Sequence, residues 1–501
     1  MTDTPVSFNE IPGSGLTAPI FTFEYNSGEN YQPGSNIFLF GCKTAAGAIA
    51  LNTPMTVGSQ QQADQLAGAG SMLREMYRVA RLNNQVTPIY LVAVDDSTGT
   101  APVWSLTIAQ PAAGQAAINI NGNLLQFAVS STDTPTSVAA NLAAAINSFY
   151  DPLTGAMLPV TASSALGVVT VTGRHKVAIY NDLTFYLPQL GGFNVLYPTG
   201  IVTVATTTAG GGVPVLATGL AAIGAMRAEV VSPWSDTVST SAYTAWSNDT
   251  AGAWSWGLQY YGHVWAPVTG TFAATTTIGL ALNDRHLTLI RRIPGVLSDP
   301  ASWVAARAAA ELVWLLDVTT GNVSRNQTAR PVLGVVGLPS TLLSSLDNYT
   351  ARNQLLRSGI STFQQVLGQV QVDKTVTTYQ LGASNQPDAE FRDVQSVYQI
   401  AGGFSYIRAQ LAAEQGQKAL AASNPSNLPA ISTPRDVKAS FYNAFTAMVN
   451  NGVFQQMDPT TDLSCVISAT NPDRADLFAK IVRVNPLDII AGNATFYSQA
   501  A

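Results

Sequence analysis

An alternation of apolar strand-like runs and helical stripes opens near Ser35, breaks off at about Asp96, and resumes after the glycine run Gly210-Gly211-Gly212. This interruption constrains the fold most, because a chain that leaves a βα pattern and re-enters it carries a module inserted into a sheet-and-helix domain. In the first stretch, Ile37 to Phe40 and Ile89 to Val94 read as buried strands. Between them, Ser59 and Gln62 have capping-box spacing for a short helix that stops at Gly68-Ala69-Gly70. A second helix starts near Ser71 and places Leu73, Met76, Tyr77 and Ala80 at i, i+3, i+4 and i+7, one face against a sheet. The unit is βαβ.

From about Asp96 to Ala205 the composition turns to Ala, Thr, Gly and Val. Ile118 and Ile120, then Leu125, Phe127 and Val129, alternate on either side of Asn121-Gly122-Asn123, a hairpin signal. Pro135 behind Thr134 opens a helix whose Val138, Leu142 and Ile146 stack at i, i+4 and i+8. Val160 to Thr172 and Val177 to Leu187 return to strands, so the insertion is a small α+β or sandwich-like module. Past the glycines come strands at Glu229 to Ser232, Val264 to Pro267 and His286 to Arg291. A helix opened by Asp299-Pro300 puts Trp303, Ala306, Ala310, Val313 and Trp314 on one face. Together these predict a mixed, largely parallel sheet covered on both sides.

The stretch from Asp373 to Val394 joins a strand to a long helix. Val376 and Thr378 alternate with Thr377 and Tyr379, Gly382 to Pro387 is a polar turn, and Asp388 or Asp393 stands where a helix is capped. Val394, Val397, Tyr398, Ala401 and Phe404 then form a stripe. Thr433-Pro434 opens another helix, showing Val437, Phe441, Phe445 and Met448 and ending near Gly452. Cys465 to Ser468 and Leu477 to Val484 read as two strands across the turn Asn471-Pro472-Asp473-Arg474.

The triplet Thr377-Thr378-Tyr379, the short turn, and Pro387-Asp388-Ala389-Glu390-Phe391-Arg392-Asp393-Val394 resemble the C-terminal domain of Mu-like contractile phage tail sheath proteins. The resemblance returns at Ala266-Pro267-Val268-Thr269-Gly270-Thr271 with Asn283-Asp284-Arg285-His286, and at Leu355-Leu356-Arg357-Ser358-Gly359-Ile360, then runs almost unbroken to Val484. The first third matches in layout only. The end, Asn485-Pro486-Leu487-Asp488-Ile489-Ile490, departs from the more charged tail usual in such proteins.

The resemblance implies a structural subunit, not an enzyme, that polymerises with itself as stacked hexameric rings around a tail tube. It implies contraction, without nucleotide hydrolysis, that drives the tube through the host envelope, and it brings in tube, baseplate and tail terminator proteins as partners. The place of such a subunit is the virion tail, after assembly in the host bacterial cytoplasm. A contractile bacteriocin or similar injection particle uses the same kind of subunit, so that alternative stays open.

Composition points the same way. Charged residues are 11% of the chain and hydrophobic ones 47%, against roughly 25% charged in an ordinary soluble domain. Charge depletion marks the cores of protein contacts, so much of the surface is expected to be interface. The long uncharged tract between Asp182 and Arg227 is broken by Pro188, Gly191, Gly192, Pro198 and Gly200 and cannot span a membrane as a helix. MTDTPVSFNE lacks the basic and apolar regions of a signal peptide, so the expectation is a protein made and kept inside a cell. Cys42 and Cys465 are expected to be reduced and buried. A net charge of −6 with no Lys/Arg run gives nucleic acid no footprint.

Material for chemistry is thin. His175, His263 and His286 are the only histidines and none has metal-ligand spacing, so no metal and no cofactor are expected. There is no G-x-S-x-G elbow. Gly41-Cys42-Lys43-Thr44 lacks the earlier glycine of a phosphate loop, and Gly68-Ala69-Gly70 is too short for a dinucleotide fingerprint. Asp373, Asp388, Glu390 and Asp393 alternate with Lys374 and Arg392, which favours capping and ion pairing over acid-base work. Trp246, Trp254, Trp256, Tyr260, Tyr261 and Trp265 could form a sugar platform, as in a carbohydrate-binding tail or adhesion protein, but packing is the better reading.

The expected fold is therefore α/β and α+β multidomain: a mixed sheet core flanked by helices, interrupted by a small β-rich insertion, with extended N- and C-terminal arms. The expected divisions are an arm at 1–24, core at 25–95 and 206–360, insertion at 96–205, C-terminal sheath domain at 361–484 and a second arm at 485–501. Arms that cannot bury their own apolar residues add to a sheet edge. Phe21, Phe23 and Tyr25 at one end, and Leu487, Ile489, Ile490 and Phe496 at the other, are expected to contact neighbouring subunits. Removal of the insertion is expected to leave assembly intact.

Overall fold

A computed structural model describes residues 34–109, 113–187 and 202–495. The first βα stretch consists of β1 (Asn36–Cys42), β2 (Met55–Val57), α1 (Gln60–Ala67), α2 (Met72–Asn83) and β3 (Ile89–Val94). Ser59 and Ser71 start the two helices by accepting from the backbone N–H groups of Gln62 and Arg74. Strands β1 and β3 pair in parallel with Ile37 opposite Ile89, and the short β2 closes that edge antiparallel to β3.

The insertion contributes β4 (Val103–Ile108), β5 (Gly114–Ile120), β6 (Asn123–Val129), α3 (Pro135–Ser148), β7 (Val160–Ala165), β8 (Val168–Gly173), β9 (Phe185–Tyr186) and β10 (Val202–Thr208). They make two sheets, β10-β4-β8-β7 and β6-β5-β9, with β10 running through Ala205. The β5–β6 turn is Asn121-Gly122 with both φ positive, at 53° and 81°, as a two-residue hairpin of that hand requires. Leu166-Gly167 splits the expected 160–172 strand into the β7–β8 hairpin. Of the strand expected over 177–187 only Phe185–Tyr186 forms, and Ala178–Asp182 is a 3-10 turn. The reason is a competing partner: Asn181 exchanges two hydrogen bonds with the Gly210 backbone, and Ala178 N–H donates to Gly212.

The resumed domain runs α4 (Ala217–Ala221), β11 (Ala228–Val231), α5 (Thr237–Ser247), β12 (His263–Thr269), α6 (Phe272–Leu280), β13 (Leu287–Arg292), α7 (Pro300–Leu315), α8 (Tyr349–Arg357), β14 (Ile360–Val366) and β15 (Gln369–Lys374). The resulting eight-stranded sheet has the order β15-β14-β13-β12-β11-β1-β3-β2. Six strands from β14 to β3 are parallel, an antiparallel strand lies at each edge, and the sheet runs on past residue 360. Helices cover both faces. Gly41 meets Leu73 and Met76 of α2, while Phe40 points the other way onto Gly219 of α4, where a Cβ would lie 2.8 Å from its ring. Alanine-rich α7 is buried along almost its whole length, with Asp299 and Pro300 at its start as the sequence predicts.

After the sheet come α9 (Val394–Gln415), β16 (Ala419–Leu420), β17 (Ile431–Ser432), α10 (Pro434–Asn450), β18 (Leu463–Ile467) and β19 (Ala475–Ala479). Thr433 and Asp436 form a full capping box at α10. Val376 to Tyr379 is not a regular strand. Val376 makes a single bridge to Asp393, and Thr377 and Thr378 instead bond Arg392 and Leu287. Asp393 sits at the cap position of α9 without capping it, because its carboxylate turns to Lys374 and Arg483. Cys465 is half-buried, not buried, since its strand belongs to a two-stranded sheet with an exposed face.

Candidate assembly surface

The three histidines fall into two places, His175 beside Cys42 and Asp96, and His263 with His286 at the starts of β12 and β13. Cys42, Asp96 and His175 offer ligand atoms within 4.8 Å of one another. Yet both ring nitrogens of His175 are committed: Nε2 accepts the Met72 N–H at 3.0 Å and Nδ1 faces Asp96 Oδ2 at 3.2 Å. The proton therefore sits on Nδ1, and Nε2 has no lone pair left for a metal or for a base. Burial pushes the Cys42 thiol well up, and Asp96 and Asp95 add to it, so no thiolate is available. The cluster pins the insertion to the start of α2 and the end of β3.

His263 and His286 stand beside Glu229 in one row, because β11, β12 and β13 are parallel and in register there. Glu229 accepts from Ser35 at 2.6 Å and from the Tyr398 hydroxyl, and Trp265 Nε1 donates to Tyr398 at 3.1 Å. Burial raises the Glu229 pKa despite Arg227 and these donors. This polar layer ties α9 to the sheet. At its end Trp254 stacks on His286 with ring centroids 4.4 Å apart. Burial raises the pKa of Asp249, but hydrogen bonds from His286 and Arg285 outweigh it and hold the group at about 2. Of the aromatic run, Trp246, Tyr260 and Tyr261 pack about the buried Trp254, Trp265 is buried against Tyr398 and Trp256 is 86% exposed, so the rings serve packing more than a shared exposed platform.

Three of the four carboxylates behave as ion-pair or turn residues. Asp373 holds Arg352 at 2.6 Å, Asp393 holds Lys374 at 3.1 Å, and Asp388 accepts from Tyr379 and from the Glu390 N–H. Glu390 is exposed.

The features left for function lie around the tail. Gln399 and Asn326 donate to the carbonyls of Val484 and Leu487 at 2.7 and 2.9 Å, and Lys374 pairs with Asp488. Beyond this root, no hydrogen bond or ion pair among the described residues ties 489–495 to the body. Leu487, Ile489 and Ile490 are 69%, 78% and 85% exposed. Nearby in sequence, the β18–β19 hairpin makes a sheet of its own with Val466 and Phe478 facing solvent. A two-stranded sheet is marginal by itself, and its unpaired edges invite a third strand. Phe21, Phe23, Tyr25 and Phe496 fall outside the described residues. What this surface offers chemically is unpaired backbone and apolar side chains, which is material for association.

Sequence reasoning missed the Cys42–Asp96–His175 cluster because its members come from three distant segments. The Glu229–His263–His286 row carried a usable signal, since each polar residue opens an apolar strand run and parallel strands align their starts.

The fold is a mixed α/β body with an exposed apolar tail and an open-edged hairpin, the kind of surface that serves association between subunits. Over 97% of its length the chain is 27% identical to the Mu-like prophage FluMu tail sheath protein of Haemophilus influenzae, covering 98% of that protein. The resemblance seen in the motifs therefore extends along the whole chain. No family model matches. Crystal structures of sheath tail proteins from Listeria innocua and Desulfitobacterium hafniense align with TM-scores of 0.46 and 0.48 at 12% and 11% identity. The alignments cover 90% and 94% of this chain and 92% and 97% of those.

Proposed function

We propose that this chain is the structural subunit of a contractile tail sheath, polymerising as stacked hexameric rings around a tail tube and contracting to drive the tube through a host envelope. The observation that carries this reading is the end-to-end similarity to a tail sheath protein. The exposed apolar tail and the open-edged β18–β19 hairpin support it, because they supply a strand and an acceptor on one subunit. Leu487, Ile489, Ile490 and Phe496, and Phe21, Phe23 and Tyr25 from the other arm, are the residues assigned to neighbours. The subunit works without catalysis or nucleotide, and contraction releases assembly energy. A gain of a few kcal/mol per subunit is enough, since buried apolar area contributes about 25 cal/mol per Å². Its partners are further copies, the tube, the baseplate and the tail terminator, and its place is the virion tail, after assembly in the host cytoplasm.

The proposed division of labour gives the arms to 1–24 and 485–501, the body to 25–95 with 206–360, an outer module to 96–205 and the lattice-forming part to 361–484. Negative-stain microscopy of the purified chain, with and without ATP and Mg²⁺, tests the reading. Tubes or rings indifferent to nucleotide are expected. A persistently monomeric chain, or nucleotide-dependent shortening, would contradict it.

A further inference from the structure

We propose that the groove beside α8 is a binding site for a doubly charged oxyanion of the phosphate kind, free or as a monoester. The site is built from the body's own residues and does not depend on the sheath reading.

The groove has a volume of about 410 Å³ and lies between α8, the end of β15 and the root of the tail. Asn348 caps α8 by accepting from Ala351 N–H, and Leu355 buries the inner face of the helix. Tyr349, Arg352, Asn353, Leu356 and Arg357 then fall at i, i+3, i+4, i+7 and i+8, so one face of α8 supplies one wall. Lys374, Val376 and Arg392 supply the other. Two backbone contacts draw the walls together. Gly359 has a φ of 74° and approaches Thr378 so closely that a Cβ would lie 2.8 Å from its Cα. Thr377 N–H donates to the Arg392 carbonyl at 2.8 Å. Arg357 at the end of α8 and Arg392 before α9 are thereby held on adjoining backbone.

Charge selects the ligand. Four cations, Arg352, Arg357, Lys374 and Arg392, line the groove against the carboxylates of Asp373 and Asp488. Arg352 gives Nη1 to Asp373 at 2.6 Å, and Lys374 is divided between Asp393 and Asp488. Arg392 stands 4.0 Å from Asp393, beyond hydrogen-bond reach, and Arg357 has no side-chain partner among the described residues. Two guanidiniums are thus unspent on a chain whose net charge is −6. A guanidinium presents its N–H groups as a planar fork that fits two oxygens of one oxyanion. Two such forks on one cavity suit a tetrahedral dianion better than a halide or a single carboxylate. The Asn353 amide and the Tyr349 hydroxyl, both on exposed residues, add neutral donors. Leu356 and Val376 supply apolar surface beside them, on which the organic part of an ester can rest.

Isothermal titration calorimetry of the full-length chain at low ionic strength, with inorganic phosphate and then glycerol 3-phosphate as probes, tests the site. Saturable one-to-one binding is expected, about tenfold or more weaker in Arg357→Gln/Arg392→Gln and unchanged in Arg435→Gln on α10. The parent's thermal midpoint should rise with the probe at constant ionic strength and the double variant's should not, because a ligand of the folded chain alone stabilises it. Arg357 is exposed and the Arg392 side chain is 38% exposed, so the double variant keeps its fold, which far-UV circular dichroism checks. Tighter binding of the ester identifies esters as the ligand, and tighter binding of inorganic phosphate identifies the free anion. Binding that the double variant retains in full, or no saturable binding of either probe at millimolar concentration, would overturn the proposal. So would acetate binding as tightly as phosphate, which gives the groove to a carboxylate such as a second copy's side chain.

Discussion

Lys374 and Asp488, 114 residues apart in sequence, are joined by an ion pair that sets the point where the tail leaves the body. The same ammonium reaches Asp393 at the start of α9, so one side chain links the sheet edge, the helix and the tail. Asp488→Asn leaves the Lys374–Asp393 pair in place and is expected to shift the thermal midpoint little, because both partners of the tail pair are more than a fifth exposed and such pairs contribute about 0–1 kcal/mol. Tube yield should nevertheless fall, since the tail loses its fixed origin. Normal tubes from this variant would show that the pair does not position the tail.

A second expectation concerns the buried pair Arg307 and Glu311 inside α7. Arg307 also donates to the Thr362 carbonyl at 3.0 Å and to Thr375 Oγ1 at 2.9 Å, and Glu311 is fully buried with Oε2 unpartnered. Arg307→Met strands the carboxylate and should cost about 3–5 kcal/mol, whereas the double change Arg307→Met/Glu311→Leu should recover much of that. Denaturant midpoints of the four proteins in the cycle check the coupling, and additive losses would contradict it.

The insertion is held by buried polar contacts on several sides. Arg74 donates to the Gly155 carbonyl at 2.6 Å, Glu75 accepts from Met157 N–H, Arg292 donates to Asp182, and Asn121 bonds Asp299 at the start of α7. Replacing 96–205 by a Gly/Ser bridge removes these bonds, at about 0.5–1.5 kcal/mol each, and opens to water the surface of the body that the module covers. A marked drop in the denaturation midpoint is expected, with tubes still formed at low temperature. A folded, bridged chain that makes none would place the module in the lattice.

His263 carries a pH signature. Burial, with His286 adding to it, holds its pKa well below the ordinary value, and its neighbours in the row are Glu229 and Tyr398. Below about pH 6.5 the unfolded chain binds a proton at this position that the folded chain refuses, so stability falls with pH by at most about 1.4 kcal/mol per unit. Glu229, whose pKa is raised, acts oppositely: its stabilising share is complete below about pH 4.3 and is lost as pH rises through the folded value. Urea midpoints between about pH 6.5 and 5 should fall less steeply in His263→Gln than in the parent. Parallel slopes would exclude His263 as the source.

Much of the body is legible in the sequence because its signals are local. The apolar runs of β1, β3, β12 and β13 are strands buried on both faces, and Asp299-Pro300 and Thr433-Pro434 announce their helices by capping chemistry alone. Where a distant partner decides, local reading fails. Alternation at Val376–Tyr379 suggested a strand, but Thr378 is drawn to Leu287 and Asp284. Asp393 looks like a cap and is claimed by Lys374 and Arg483. The apolar character of Leu487, Ile489 and Ile490 after Pro486 is plain in the sequence and their side chains are exposed, whereas the clamp at the root of the tail needs Lys374 and Asn326 brought from far away.

The most direct test of the account is truncation after Asn485, which removes Leu487, Ile489, Ile490 and Phe496 and leaves the body's own contacts from Val484 inward in place. Sedimentation and negative-stain microscopy of the truncated and full-length chains, side by side, should show folded monomers for the first and tubes for the second. Tubes of normal length from the truncated chain would contradict the claim that the tail joins neighbouring subunits.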